Sequence, residues 1–181
     1  MYFNQKFMLG NFLFALVSSL LFTLASCTAQ TTSAPEPLQV VEDAELSIPV
    51  YDEEGIQYYL EKADDKVHVV NFWATWCKPC VEELPDFERL NAEYKDKGVE
   101  VTLVSMDFEE QFESKLLPYV KENLKSNVIV VLPEKENEFP DVVSKNWSGA
   151  LPATLIYNKD KRFFIGGKTN YEELVEQIEK F

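Results

Sequence analysis

Sulfur and imidazole are scarce in this chain, which has three cysteines and one histidine in 181 residues. A structural zinc site takes four nitrogen or sulfur ligands. Cys27 stands far from the rest at the N-terminus, and His68 falls inside an apolar strand pattern as a packed or edge histidine. Basic residues are also few: 17 Lys and Arg against 31 Asp and Glu give a formal charge of −14. That balance argues against nucleic acid and an anionic membrane face as partners. Acidic clusters such as Glu134 to Glu138 read as solvated surface. No repeat and no internal linker interrupts residues 46–181, a length suited to one domain.

The two cysteines left, Cys77 and Cys80, lie in Trp76-Cys77-Lys78-Pro79-Cys80-Val81, directly behind the apolar run Val67 to Trp73. Such a ring closes little loop entropy, so it is a poor structural staple. Where the first cysteine opens a helix, free N–H groups and the positive end of the helix dipole stabilise its thiolate. A CxxC at a strand-to-helix turn therefore predicts a redox-active pair.

The N-terminus carries one charge, Lys6, and then an apolar stretch from Phe12 to Leu24. That stretch is shorter than the roughly 20 residues a membrane span needs. With small residues before a break, it describes an export signal. Leu24-Ala25-Ser26-Cys27 resembles the bacterial lipoprotein cleavage box, which makes residues 1–26 a signal peptide and Cys27 the site of lipidation. Several acyl chains on one residue anchor stably, at about 0.8 kcal/mol per buried methylene. Residues 27–45, poor in large apolar side chains, read as a flexible tether. One cysteine lipidated and two paired leaves no stray thiol, as an oxidising envelope favours.

In the folded part the pattern predicts a strand at 48–51 and a helix at 53–63. The strand at 67–73 is apolar enough to be buried on both faces. A helix follows at 77–95 with Leu84, Phe87, Leu90 and Tyr94 in helical spacing, then a strand at 99–106. A helix at 110–123 is interrupted by Pro118. Beyond it come a strand at 128–132, a short helix or turn at 142–147, a hairpin of 154–157 with 162–165, and a final helix at 171–180. Helices alternating with strands predict an α/β mixed sheet covered on both faces.

Val70-Asn71-Phe72-Trp73-Ala74-Thr75-Trp76-Cys77-Lys78-Pro79-Cys80 resembles the thioredoxin superfamily, and specifically the TlpA/ResA-like membrane-anchored thiol-disulfide oxidoreductases. The resemblance spans the whole domain. Pro85 matches the kinking proline of the active-site helix, and Gly149-Ala150-Leu151-Pro152-Ala153-Thr154 matches the loop holding a cis proline beside the disulfide. It implies a thioredoxin-like fold, a central mixed β-sheet flanked by helices. The segment from Asp107 to Leu132 would be an extra helix-strand insertion before the cis-Pro loop. There are two departures. The buried aspartate of thioredoxin falls at Asn71, which cannot take a proton; Glu83 occupies the position of the acidic residue associated with the pair in ResA-like proteins. Leu151 precedes the proline where relatives often carry a β-branched residue.

The chemistry so implied is dithiol–disulfide exchange without a prosthetic group. Cys77 is the attacking sulfur and Cys80 the resolving one. Glu83 takes the Cys80 proton, and Pro152 pairs with the client's extended segment. Lys78 and Pro79 lie between the cysteines, Lys78 favouring the thiolate modestly because exposed charge is screened. Trp76 shields the sulfurs and docks clients, and Trp147 is a core residue or a second docking side chain. Partners are disulfide-bearing clients, with apocytochrome c among the candidates, a membrane thiol-electron donor, and the lipid membrane through the anchor. The location is the bacterial cell envelope, on the extracytoplasmic side. The absence of histidine within the CxxC favours a reductase. The alternatives are a disulfide oxidase or isomerase on the same fold, and a CxxC metal-delivery module using His68. A thiol peroxidase lacks its proline and threonine framework, with only Thr75 nearby.

Overall fold

The computed structural model describes residues 33–181. The expected signal peptide, Cys27 and the first residues of the expected tether lie outside that range. The remainder of the tether corrects its own reading. Gln39–Glu42 is a strand, β1, antiparallel to β2 (Ser47–Tyr51), with Val41 buried, so the folded domain starts before residue 46. An edge strand this short is held by main-chain pairing and needs little apolar alternation.

The other elements follow the sequence pattern closely. They are α1 (Glu53–Leu60), β3 (Val67–Trp73), α2 (Lys78–Tyr94), β4 (Val99–Ser105), α3 (Leu117–Asn123), β5 (Asn127–Val131), α4 (Phe139–Val143), β6 (Ala153–Tyr157), β7 (Arg162–Gly166) and α5 (Tyr171–Ile178). The seven strands form one sheet in the order β1-β2-β5-β4-β3-β6-β7. Strands β2, β5, β4 and β3 run parallel, while β1, β6 and β7 pair antiparallel to their neighbours. The expected insertion is visible as α3 and β5, with β5 slotted between β2 and β4.

Two local differences have backbone causes. The expected helix from 110 is a 3₁₀ turn at Glu109–Gln111, a π turn at Phe112–Leu116 and only then α3. Pro118 has no N–H to continue an α-helical ladder, and the widened turn bonds Leu117 N–H to the Phe112 carbonyl instead. The helix expected at 142–147 lies earlier, at 139–143, because Pro140 presets the first-turn dihedral and Ser144 is extended.

β3 is central and buried nearly throughout. Its alternation sends Val69 and Trp73 into the core under α2, α3 and α5, and Val70 and Phe72 into the core under α1 and α4. Asn71 shares parity with Val69 and Trp73, which is why it faces α2. Phe87, fully buried on α2, fills the first of these cores. Phe87→Ala is expected to lower unfolding stability by about 3–5 kcal/mol, measured by denaturant titration. A loss under about 1 kcal/mol, far below the usual cost of such a cavity, would mean that α2 is not packed as described.

Candidate active site

The parallel strands end on one side, and the chain leaves β3 there through a tight turn in which Cys77 N–H bonds the Ala74 carbonyl (3.1 Å). Cys77 is extended (φ −89°, ψ 95°) and is the N-cap of α2, with Pro79 in the first turn. No side chain caps this helix end, so its first N–H groups have no side-chain partner, and the positive end of the helix dipole lies where Cys77 sits. Cys77 and Cys80 are disulfide-bonded, their Cα atoms 5.3 Å apart. Cys77 retains 5% exposure and Cys80 none. An attacker from solvent meets Cys77 first.

Glu83 lies one turn beyond Cys80 and is fully buried, so it is not an ordinary exposed helix glutamate. One carboxyl oxygen accepts from Asn71 Nδ2 (2.9 Å) and the other from Thr169 N–H (2.8 Å). Burial pushes its pKa up to about 7, against the lowering effects of the Thr169 and Asn71 hydrogen bonds and of nearby Lys168. A carboxyl group titrating there exchanges protons readily near neutrality. Asn71 Nδ2 also donates to Thr154 Oγ1 (3.1 Å), while its Oδ1 is buried with no protein partner. Asn71 thus holds the Glu83 carboxyl in place. Sequence reasoning placed Glu83 and Asn71 separately and did not foresee this contact or the Thr169 amide.

The Leu151–Pro152 peptide is cis. Register pairs Phe72 with Ala153, which sets Pro152 beside the Trp73 end of β3 where the chain turns toward Cys77. Gly149, at φ 85°, makes the bend ahead of this loop in a region other residues rarely adopt. Trp147 is buried against Phe72 and Phe139, and its indole N–H donates to the Ala150 carbonyl (2.8 Å). Its place is the core, where it braces the proline loop from behind.

A groove of about 800 Å³ runs between the cysteine turn and this loop, lined by Trp76, Cys77, Lys78 and Pro79 on one side and by Gly149, Ala150 and Leu151 on the other. Trp76 is 51% exposed and stacks on Phe108, itself 57% exposed, with ring centroids 5.8 Å apart. His68 is elsewhere. It is buried at the start of β3, bonded to Asp64 (2.7 Å) and stacked on Tyr157. The length of β3, about 20 Å at roughly 3.3 Å per residue, separates it from the cysteine end, so it does not join Cys77 and Cys80 as a third ligand.

A mixed sheet, a helix opened by a CxxC disulfide and a cis proline beside the same groove define a thioredoxin-like thiol-disulfide oxidoreductase. Residues 38–162 match the AhpC/TSA family. The chain is 31% identical over 147 residues to the thiol-disulfide oxidoreductase ResA of Bacillus cereus, covering 81% of this chain and 78% of that protein. The chain belongs to the AhpC/TSA family, among its ResA-like thiol-disulfide oxidoreductases. The fold is shared with a DsbF homologue from Corynebacterium diphtheriae (TM-score 0.56, 18% identity, 78% of this chain and 81% of that one). It is shared also with StoA from Bacillus subtilis (TM-score 0.51, 19% identity, 80% and 98%).

Proposed function

We propose that this oxidoreductase works in the reducing direction on disulfides of client proteins in the bacterial cell envelope, held at the membrane by a lipid on Cys27. The observation that carries the reading is the Cys77–Cys80 pair at the start of α2 with the buried Glu83 carboxyl one turn behind it. In the reduced protein the Cys77 thiolate attacks one sulfur of the client disulfide. An S–S bond forms between them and the client's other sulfur leaves as a thiolate. Cys80 passes its proton to Glu83 and attacks the Cys77 sulfur, re-forming the intramolecular disulfide and releasing the second client thiolate. The Cys77–Cys80 pair supplies both electrons. The two client thiolates take up two protons from solvent, replacing the one Cys77 lost on ionising and the one Cys80 passed to Glu83, which Glu83 returns to solvent. A membrane thiol-electron donor then restores the dithiol.

The groove receives the client segment. Trp76 and Lys78 form one wall, and the backbone beside Pro152 offers strand-like pairing. Lys78-Pro79 between the cysteines contains no histidine to stabilise the reduced thiolate, which supports reduction over oxidation. Turnover tests this directly: the protein with a dithiol should reduce the disulfides of a test protein such as insulin far faster than the dithiol alone. No acceleration would refute the reading.

The anchor makes a separate prediction. Leu24-Ala25-Ser26-Cys27 supports lipidation, so the mature chain should partition with membranes and carry acyl groups on Cys27. Cys27→Ser should release it into the soluble fraction while leaving insulin reduction unchanged. Mass spectrometry showing an unacylated wild-type Cys27 would end this part of the proposal.

A further inference from the structure

Just past β4, Asp107 is a buried acid that the exchange mechanism above does not use, 1% exposed. Its two carboxyl oxygens act only as acceptors. Both lie 3.1 Å from the Thr75 amide nitrogen, one also takes the Thr75 hydroxyl, and the other takes the Ser105 hydroxyl (2.8 Å). Asp107 N–H donates back to Ser105 Oγ (3.1 Å). The last main-chain bond between these chain segments is Met106 N–H to the Trp73 carbonyl (2.8 Å). Beyond it the two strands would be free to splay, and the Asp107–Thr75 contact holds them together instead.

What it holds is the entrance to the active site. Thr75 and Trp76 are the middle residues of the turn whose Cys77 N–H closes on Ala74. Trp76 follows Thr75, Phe108 follows Asp107, and these two rings stack. Asp107 also lines the groove that Cys77 lines. We propose that Asp107 is a positioning residue that fixes the Thr75–Trp76 turn and, through its negative charge, restrains thiolate formation at Cys77. The assignment rests on Cys77 being the attacking sulfur.

The charged groups that line the groove together with Cys77 come from three elements. Lys78 on α2 favours the thiolate; Asp107 after β4 and Glu136 in the loop before α4 oppose it. Glu83 lies deeper on α2, behind Cys80. Of the opposing groups only Asp107 is buried within hydrogen-bonding reach of the cysteine turn, where water screens least. The helix end and Lys78 pull toward thiolate, and Asp107 pulls back, which suits a protein kept at the reducing end of the scale.

The test reads Cys77 itself in the full-length chain, by the pH dependence of its alkylation rate after reduction. Asp107→Asn keeps the shape and a carbonyl acceptor for Thr75 but removes the charge. The Cys77 thiol pKa should fall by about one unit, roughly a tenfold gain in thiolate fraction below it. The redox potential should move in the oxidising direction by up to about 30 mV, the equivalent of that tenfold change. Thr75→Val removes a hydroxyl donor and leaves the carboxylate less neutralised, so its shift should have the opposite sign. A purely structural role would move both variants the same way or move only their thermal midpoints. Either result, or unchanged thiol pKa values in both, overturns the proposal. If wild-type Cys80 is alkylated before Cys77, the nucleophile assignment fails instead, a separate outcome visible in the parent protein.

Discussion

Cys77→Ala is expected to abolish disulfide reduction, to the level of dithiol alone, while Cys80→Ala accumulates a mixed disulfide with its client. The asymmetry follows from placement. Cys77 stands at the N-cap of α2 with residual exposure, whereas Cys80 is sealed inside the first turn. Of the two, only Cys77 keeps surface that a client sulfur could reach. Only Cys80 is positioned to resolve the adduct, since its Cα lies 5.3 Å from that of Cys77. Non-reducing electrophoresis and mass spectrometry of the Cys80→Ala protein mixed with an oxidised test protein would identify the adduct at Cys77. An active Cys77→Ala protein, or trapping by Cys77→Ala in place of Cys80→Ala, would reverse the roles.

Glu83→Gln should slow exchange by on the order of a hundredfold, within the usual range for a positioned proton acceptor. The variant fits the site. The introduced amide can accept from Thr169 N–H with its oxygen, and a flip of the Asn71 amide turns Oδ1, otherwise without a partner, toward the new NH₂ group. Stability gives a second readout with a definite sign. The folded pKa of about 7 lies above the ordinary 4.5 because burial disfavours the carboxylate. Well below pH 4.5 the group is protonated in both the folded and unfolded chains and exerts no pull. As pH rises from 4.5 to 7 the unfolded chain ionises first, and the native state loses about 3 kcal/mol relative to it. The wild type should therefore lose stability across that window and the Gln variant should not lose this portion. The pH–rate profile should lose its rise near 7 in the same variant. Parallel stability curves for the two proteins would show that Glu83 does not titrate as described.

Much of this was legible in the residues alone. The CxxC behind an apolar strand located the redox pair, because the helix end and the cysteine spacing are local properties. β3 announced its burial by being apolar on both parities. Glu83 was read through its match to a family position, although its spacing three residues after Cys80 and four before Phe87 also puts it on the buried stripe of α2, unlike the exposed Glu82 beside it. The partners that define its chemistry are remote: Thr169 stands 86 positions away and Asn71 stands 12. The same holds for Asp107 and Thr75, 32 apart, which meet only because β3 and β4 run parallel in register. Strand β1 escaped notice because Gln39–Glu42 buries a single side chain and is stabilised by pairing with β2. The π turn before α3 was invisible for a different reason: Pro118 signals a break in the helix but not how the chain accommodates it.

The equilibrium potential of the Cys77–Cys80 couple tests the central claim most directly. It is measured on the full-length protein in defined dithiol and disulfide buffers, with the reduced fraction read by alkylation. A reductase should fall nearer the thioredoxin end of the scale, about −270 mV, than the oxidant end, about −120 mV. A value at the oxidant end would contradict the account and make the protein an oxidase, with the fold and the disulfide geometry untouched.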